Sequence, residues 1–193
     1  LFVIRKINEN MRLGVLHLPD FTAFTGNSAK RELEKKGTAF LLEKLFNKVV
    51  ELSYNTEGKP EIRKENCHIS ISHSHDKLVI MCNHQSPTGV DIELIRDKVL
   101  KIKVKFLSSI ELKEAADNVD KLIIYWAAKE ALYKLYSLKE VEFIKHLYVQ
   151  PFELKTEGLL VGEIRLESFN KKMSLHYEKL EDYMLVYSIE ELG

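Results

Sequence analysis

Two acidic side chains separated by one residue set the chemistry this chain could perform. In Gly89-Val90-Asp91-Ile92-Glu93, an extended backbone points Asp91 and Glu93 to one face and Val90 and Ile92 to the other. Carboxylates held so close raise each other's pKa, and a cation between them relieves the repulsion. Mg²⁺ suits such a pair, because it is a hard ion that takes oxygen ligands and keeps positions open for phosphate oxygens. Taken alone, the pattern is also that of an ordinary solvent-facing strand. Further along, Trp126, Glu130 and Lys134 recur at i, i+4 and i+8 with Lys129 beside them. On a helix they form one stripe, able to bring a third carboxylate to a metal and a cation to phosphates. The plainer reading of the same stretch is a surface helix with one Glu-to-Lys pair.

The elements that must position these residues follow from periodicity. Gly89–Leu94 predicts a strand. Asn118 or Asp120 caps a helix running to about Tyr136, with Leu122, Trp126, Leu132 and Leu135 apolar. Ser108 and Glu111 have capping-box spacing at the start of a shorter helix. Upstream, Leu1–Ile7 and Arg12–Leu18 read as strands around the turn Asn8–Met11. Residues 27–50 carry a helical period through Leu33, Phe40, Leu41, Leu45 and Val49, capped by Asn27 or Ser28. Gly37 weakens that helix by about 1 kcal/mol relative to Ala, inviting a kink. Asn55–Pro60 is a turn. The alternating Cys67–His73 and the apolar Leu78–Asn83 predict a hairpin. The tail predicts strands at Leu147–Leu154, Leu159–Glu167, Lys172–Leu180 and Tyr183–Ile189, so strands, helix and strands echo roughly in both halves.

Bulk composition narrows the function classes. The 193 residues are 45% hydrophobic and 30% charged, which argues against disorder. Lys+Arg and Asp+Glu number 29 each, so no basic coat for nucleic acid is expected, and no reading motif for one is seen. Apolar runs such as Leu1–Ile4 and Leu122–Tyr125 are too short to cross a membrane, and no signal-peptide pattern is seen. Two cysteines, Cys67 and Cys82, are too few for a disulfide scaffold and fit a reduced, cytoplasmic setting.

The Gly89-Val90-Asp91-x-Glu93 strand followed by Trp126-x-x-Lys129-Glu130-Ala131-x-x-Lys134 resembles the 4′-phosphopantetheinyl transferase superfamily. Ile69–Ser74 looks like the family's ISHS block and Gly58-Lys59-Pro60 like its GKP block. Phe106 with Glu111 matches a further phenylalanine-and-glutamate pair of larger members. The ordered blocks, spanning Gly58 to Lys134, are similar to the larger, Sfp-type branch. The resemblance implies an α+β fold of two similar α/β halves in a pseudo-two-fold arrangement with the site between them. It divides the chain into 1–87 and 88–193 and makes it a monomer, a pseudo-dimer within one chain.

The implied activity transfers 4′-phosphopantetheine from coenzyme A to a serine of an apo acyl or peptidyl carrier protein, releasing 3′,5′-ADP. The carriers served would be those of fatty-acid, polyketide or non-ribosomal-peptide synthesis. By resemblance Asp91, Glu93 and Glu130 hold Mg²⁺, with Mn²⁺ equally suited to oxygen ligands. Glu130, directly or through water, is the base for the serine hydroxyl, and Lys134 steadies developing charge. Ser72 and His73 would contact coenzyme A phosphate oxygens, Lys59 the nucleotide phosphates, and Arg31 and Lys129 further coenzyme A groups. Phe106–Leu107 and the following helix stand where the carrier docks. One departure is Ala39, where relatives often carry an arginine. Coenzyme A would then be held more weakly, or by Lys30, Arg31, Lys35 or Lys36. A second function class is therefore a non-catalytic relative that binds coenzyme A or a carrier.

Other readings of single residues are structural. Cys67, His68, His73, His75, Cys82 and His84 resemble zinc ligands by type but not by spacing, since Cys67 and His73 fall about 20 Å apart on an extended strand. Cys67 and Cys82 fit small buried hydrophobes. Glu111 reads as a capping-box member before a fourth acidic ligand, and Trp126 as core or pocket wall. Tyr177, Tyr183 and Tyr187 read as sheet packing.

Overall fold

The computed structural model of the chain describes residues 1–26, 29–137 and 141–193. It is α+β, with two antiparallel sheets, and divides into a unit of Leu1–Thr88 and a unit of Gly89–Gly193.

The first unit contains β1 (Phe2–Lys6), β2 (Met11–His17), α1 (Leu18–Thr25), α2 (Lys30–Phe46), β3 (Leu52–Tyr54), β4 (Pro60–Ile62), β5 (His68–Ser74) and β6 (Lys77–Asn83). Its strands lie in the order β1-β2-β6-β5-β4-β3. The expected N-terminal hairpin forms, with Ile4 opposite Gly14. The Cys67–Asn83 hairpin forms as β5 and β6, with Ile71 opposite Ile80.

α2 packs on this sheet through Leu41, Leu42 and Leu45, against Leu16, Leu78 and Ile80. The helix runs unbroken through Gly37. Gly37 is buried, and a β-carbon there would stand 3.0 Å from a Leu16 methyl, so the missing side chain permits close packing. The cap expected of Asn27 or Ser28 lies outside the described residues, and Ala29 occupies the N-cap. Val49, read as part of the apolar face, lies beyond the helix and is exposed. α1 was not foreseen; its Pro19 sits in the first turn, where a missing N–H costs nothing.

The second unit contains β7 (Val90–Leu94), α3 (Ser109–Ala115), α4 (Val119–Tyr136), α5 (Phe143–His146), β8 (Leu147–Val149), β9 (Glu157–Leu166), β10 (Phe169–Leu180) and β11 (Tyr183–Leu192). Two 3₁₀ turns, Asp97–Lys101 and Lys103–Lys105, follow β7. The strand order is β7-β11-β10-β9-β8. β8 stops at Val149, short of the expected Leu154, because Pro151 cannot continue a ladder. The capping box predicted at Ser108 and Glu111 is present, and Asn118 caps α4 by accepting from the Lys121 amide.

α4 is the centre of this unit. Leu122, Ile124, Ala128, Leu132 and Leu135 are buried around its circumference, so it is a core helix. The surface-helix reading is thereby corrected. No helix among the described residues is long and apolar enough to cross a membrane.

Candidate functional site

Among the described residues β7 is an edge strand of its sheet, paired only with β11, with Asp91 opposite Val186 and Glu93 opposite Met184. Its approach to α4 is set by Gly89. A β-carbon there would lie 1.9 Å from the Ala131 carbonyl oxygen, so strand and helix backbones touch where a side chain would stand. The Gly89 amide also donates to Ser188 Oγ at 3.0 Å, tying this end of β7 to β11. We expect Gly89→Ala to destabilise the unit by about 2–3 kcal/mol. It should also drive β7 away from α4 and loosen the carboxylate cluster. Chemical unfolding, together with Trp126 fluorescence as a reporter of the cluster, tests this.

With the helix so close, its stripe meets the strand residue by residue. The Trp126 indole N–H donates to Glu93 Oε1 at 3.0 Å. One end of the stripe is thus fixed. At the other end, Lys134 Nζ donates to Asp91 Oδ1 at 2.7 Å and to the Val90 carbonyl at 3.2 Å. Glu130 sits on the helix between these two contacts. Its carboxyl is pushed up to about 7, first by burial and then by the negative charge of Asp91 and Glu93, with Lys134 pulling the other way. Three carboxylates and one ammonium therefore share a half-buried patch, with Asp91 only 3% exposed. Among the described residues no group of three or more His, Cys, Asp or Glu is arranged to hold a metal ion. As the side chains stand, Lys134 supplies the positive charge beside Asp91. The donor chemistry, carboxylate oxygen throughout, fits a hard divalent cation in that place.

Lys129 is a correction. It was expected at coenzyme A, but it is 0% exposed. Its ammonium donates to Glu111 Oε2 at 2.8 Å, to the Phe106 carbonyl at 2.8 Å and to the Phe143 carbonyl at 3.1 Å. Three protons have three acceptors, so the group is fully used inside the protein. Burial lowers its pKa, opposed by Glu111. Glu111 carries more than the capping box, because Oε1 also accepts from the Val149 amide at 3.1 Å. The reading of Glu111 as structural stands.

Lys129 thereby ties two aromatic walls to α4. Phe106 meets Trp126 edge-on at 5.0 Å and Phe143 stacks on it at 5.6 Å. Beside them opens a cleft of about 570 Å³ lined by Phe106, Trp126, Phe143 and Ile144. A smaller pocket of about 180 Å³ opens at Glu93, with Arg96 and Lys98 on its wall. Sequence reasoning missed Phe143, Arg96 and Lys98. The two basic residues follow Glu93 so closely that charge spacing could have flagged them, whereas nothing local marks Phe143.

The docking expectation is also corrected in part. Phe106 and Leu107 are 1% and 2% exposed, so they support the core, while Val104 and Ile110 beside them are exposed.

The remaining expected contacts lie in the first unit. Arg31 and Ala39 are exposed on α2. Lys59 is half-buried in the turn before β4, its pKa lowered by burial against the pull of Glu61. The Asn55 side chain shapes that turn by accepting from the Lys59 amide at 2.9 Å. His73 is exposed, with Nδ1 3.4 Å from Glu34 Oε1 on α2. Ser72 is buried, and strand alternation turns it to the sheet face opposite His73. The two side chains therefore do not converge on one ligand atom. Of the other basic residues of α2, Lys36 pairs with Glu32 at 2.8 Å and Lys30 lies 4.0 Å from Glu34.

No family model matches this chain, and no curated protein matches it.

Proposed function

We propose that this chain is a divalent-cation-dependent 4′-phosphopantetheinyl transferase with the α+β fold of that superfamily. It transfers the phosphopantetheine arm of coenzyme A to a serine of an apo acyl or peptidyl carrier protein and releases 3′,5′-ADP. The observation that carries the reading is the position of Glu130, on a core helix between the strand carboxylates Asp91 and Glu93.

Asp91, Glu93 and Glu130 would hold Mg²⁺ or Mn²⁺, which when bound supplies neutralisation of pyrophosphate charge. The side chains do the rest. Glu130, directly or through water, accepts the serine hydroxyl proton as the oxygen–phosphorus bond forms and the pyrophosphate bond breaks. Lys134 holds positive charge where negative charge develops. Trp126 fixes the Glu93 carboxylate through its N–H. The coenzyme A contacts assigned to Arg31, Lys59, Ser72 and His73 belong to the same proposal. So does a carrier surface at Val104 and Ile110, flanked by the basic Lys101 and Lys105, which would suit an acidic helical partner.

The exposed Ala39 favours the second reading, a non-catalytic coenzyme A- or carrier-binding relative. One experiment separates them. The protein is incubated with coenzyme A, Mg²⁺ and several apo carrier proteins, and each carrier is weighed. Gain of one phosphopantetheine mass on a carrier, abolished by chelator, is the expected result. Unchanged carriers would reject catalysis and leave the binding reading.

A further inference from the structure

Two lysines of α4, Lys129 and Lys134, each meet a buried carboxylate at short range. Their surroundings differ. Lys129 has three acceptors inside the protein and no exposure, so its bonds use every proton it has. Lys134 donates to Asp91 Oδ1 and to the Val90 carbonyl, two acceptors among the described residues, so one of its three protons is left to solvent. Its side chain is 25% exposed, against 4% for that of Asp91. Lys129 is locked in the core, whereas Lys134 reaches in from solvent on a flexible four-carbon stem.

The carboxylate that Lys134 holds is one of the three proposed to hold the divalent cation. The ammonium lies 2.7 Å from Asp91 Oδ1. A Mg²⁺ ion on the same oxygen would stand within about 5 Å of it. Like charges that close repel strongly in half-buried surroundings, so the two compete for one place. Lys134 can leave Asp91 without being stranded. It sits in the last turn of α4, where the carbonyl end of the helix favours positive charge. Phosphate oxygens of the substrate would replace the acceptors it gives up.

We infer that Lys134 is a displaceable counter-ion, which competes with the divalent cation for Asp91 and is released toward the substrate phosphates as the cation binds. The inference rests on the metal reading of Asp91, Glu93 and Glu130 and adds to it what sets the affinity of that site. The pair with Lys134 keeps a buried carboxylate neutralised, and breaking it opposes cation binding. Cation binding and phosphate binding are thereby coupled, because each favours the released ammonium. Such coupling is reciprocal, so phosphates tighten the cation by the same factor as the cation tightens phosphates.

Two measurements on the full chain test this. In the first, Mn²⁺ is titrated by calorimetry into wild type and into Lys134→Met, which keeps an unbranched stem without the charge. Lys134→Met should bind Mn²⁺ about tenfold or more tightly than wild type, and Lys134→Arg should show no such gain. The second needs no variant. Wild type is reductively methylated with and without saturating Mg²⁺, and the modified lysines are mapped by mass spectrometry. Lys134 should react several-fold faster with Mg²⁺, while Lys129 stays protected in both. If Lys134→Met does not fold, as judged by circular dichroism, the methylation result decides alone. Folded Lys134→Met that binds Mn²⁺ no more tightly than wild type, or Lys134 methylation unchanged by Mg²⁺, overturns the inference and leaves the metal site standing. Absence of cation binding in both wild type and folded Lys134→Met overturns the metal reading as well.

Discussion

Glu130→Gln should slow carrier modification by about 10²–10⁴-fold while making the protein more stable at and above neutral pH. The two effects share one cause. Glu130 has an ordinary pKa of 4.5 and is held at about 7 by burial and by Asp91 and Glu93. Between those values the folded chain keeps a proton that the unfolded chain has released. Stability therefore falls as pH rises through this window and levels off above it. The full penalty is up to about 3 kcal/mol. Glutamine mimics the protonated acid and removes the pH dependence. Wild type and variant should thus unfold alike near pH 4.5 and diverge by pH 8, which urea titrations at several pH values measure.

Mg²⁺ should then raise the melting temperature of the wild type and leave Glu130→Gln and Asp91→Ala nearly unmoved, by preferential binding to the folded state. Full transfer activity in Glu130→Gln or Asp91→Ala, or in excess chelator, would reject the metal assignment. Equal stability of wild type and Glu130→Gln at pH 8 would reject the carboxylate crowding.

The second large effect is structural. Lys129→Ala should destabilise the chain by about 3–5 kcal/mol, because it strands the Glu111 carboxylate and two carbonyls in the core. In a chain of this size that corresponds to a fall in melting temperature of roughly 6–20 °C. A coenzyme A contact would behave otherwise, raising KM for coenzyme A with the melting temperature unchanged. The Lys129 result bears on the site too, since the same ammonium holds the carbonyls of Phe106 and Phe143 on either side of Trp126. Trp126 in turn orients Glu93. Residual activity of Lys129→Ala, assayed well below its melting point, should be lower than that of the wild type without a selective change in KM.

Much of this arrangement was legible locally. Alternation set Asp91 and Glu93 on one strand face and turned Ser72 and His73 to opposite ones. The 3.6-residue period aligned Trp126, Glu130 and Lys134, and side-chain chemistry at Ser108 and Asn118 fixed two helix starts. Each is a rule of neighbours within a few residues.

What the sequence could not carry was the partner of each element. β7 follows the β5–β6 hairpin in the chain but joins the other sheet, beside β11, roughly ninety residues downstream (Asp91 opposite Val186). That pairing and the bare α-carbon of Gly89 bring the strand against α4. Burial of α4 on nearly every side turns Lys129 from an expected surface cation into an internal clasp. In the same way, Gly37, a helix weakener by propensity, becomes the seat for Leu16. The acidic pair therefore owes its common face to local periodicity. Its association with Glu130 and Lys134 comes from long-range packing, because only the tertiary fold decides which strand a helix covers and which charges must share low-dielectric surroundings.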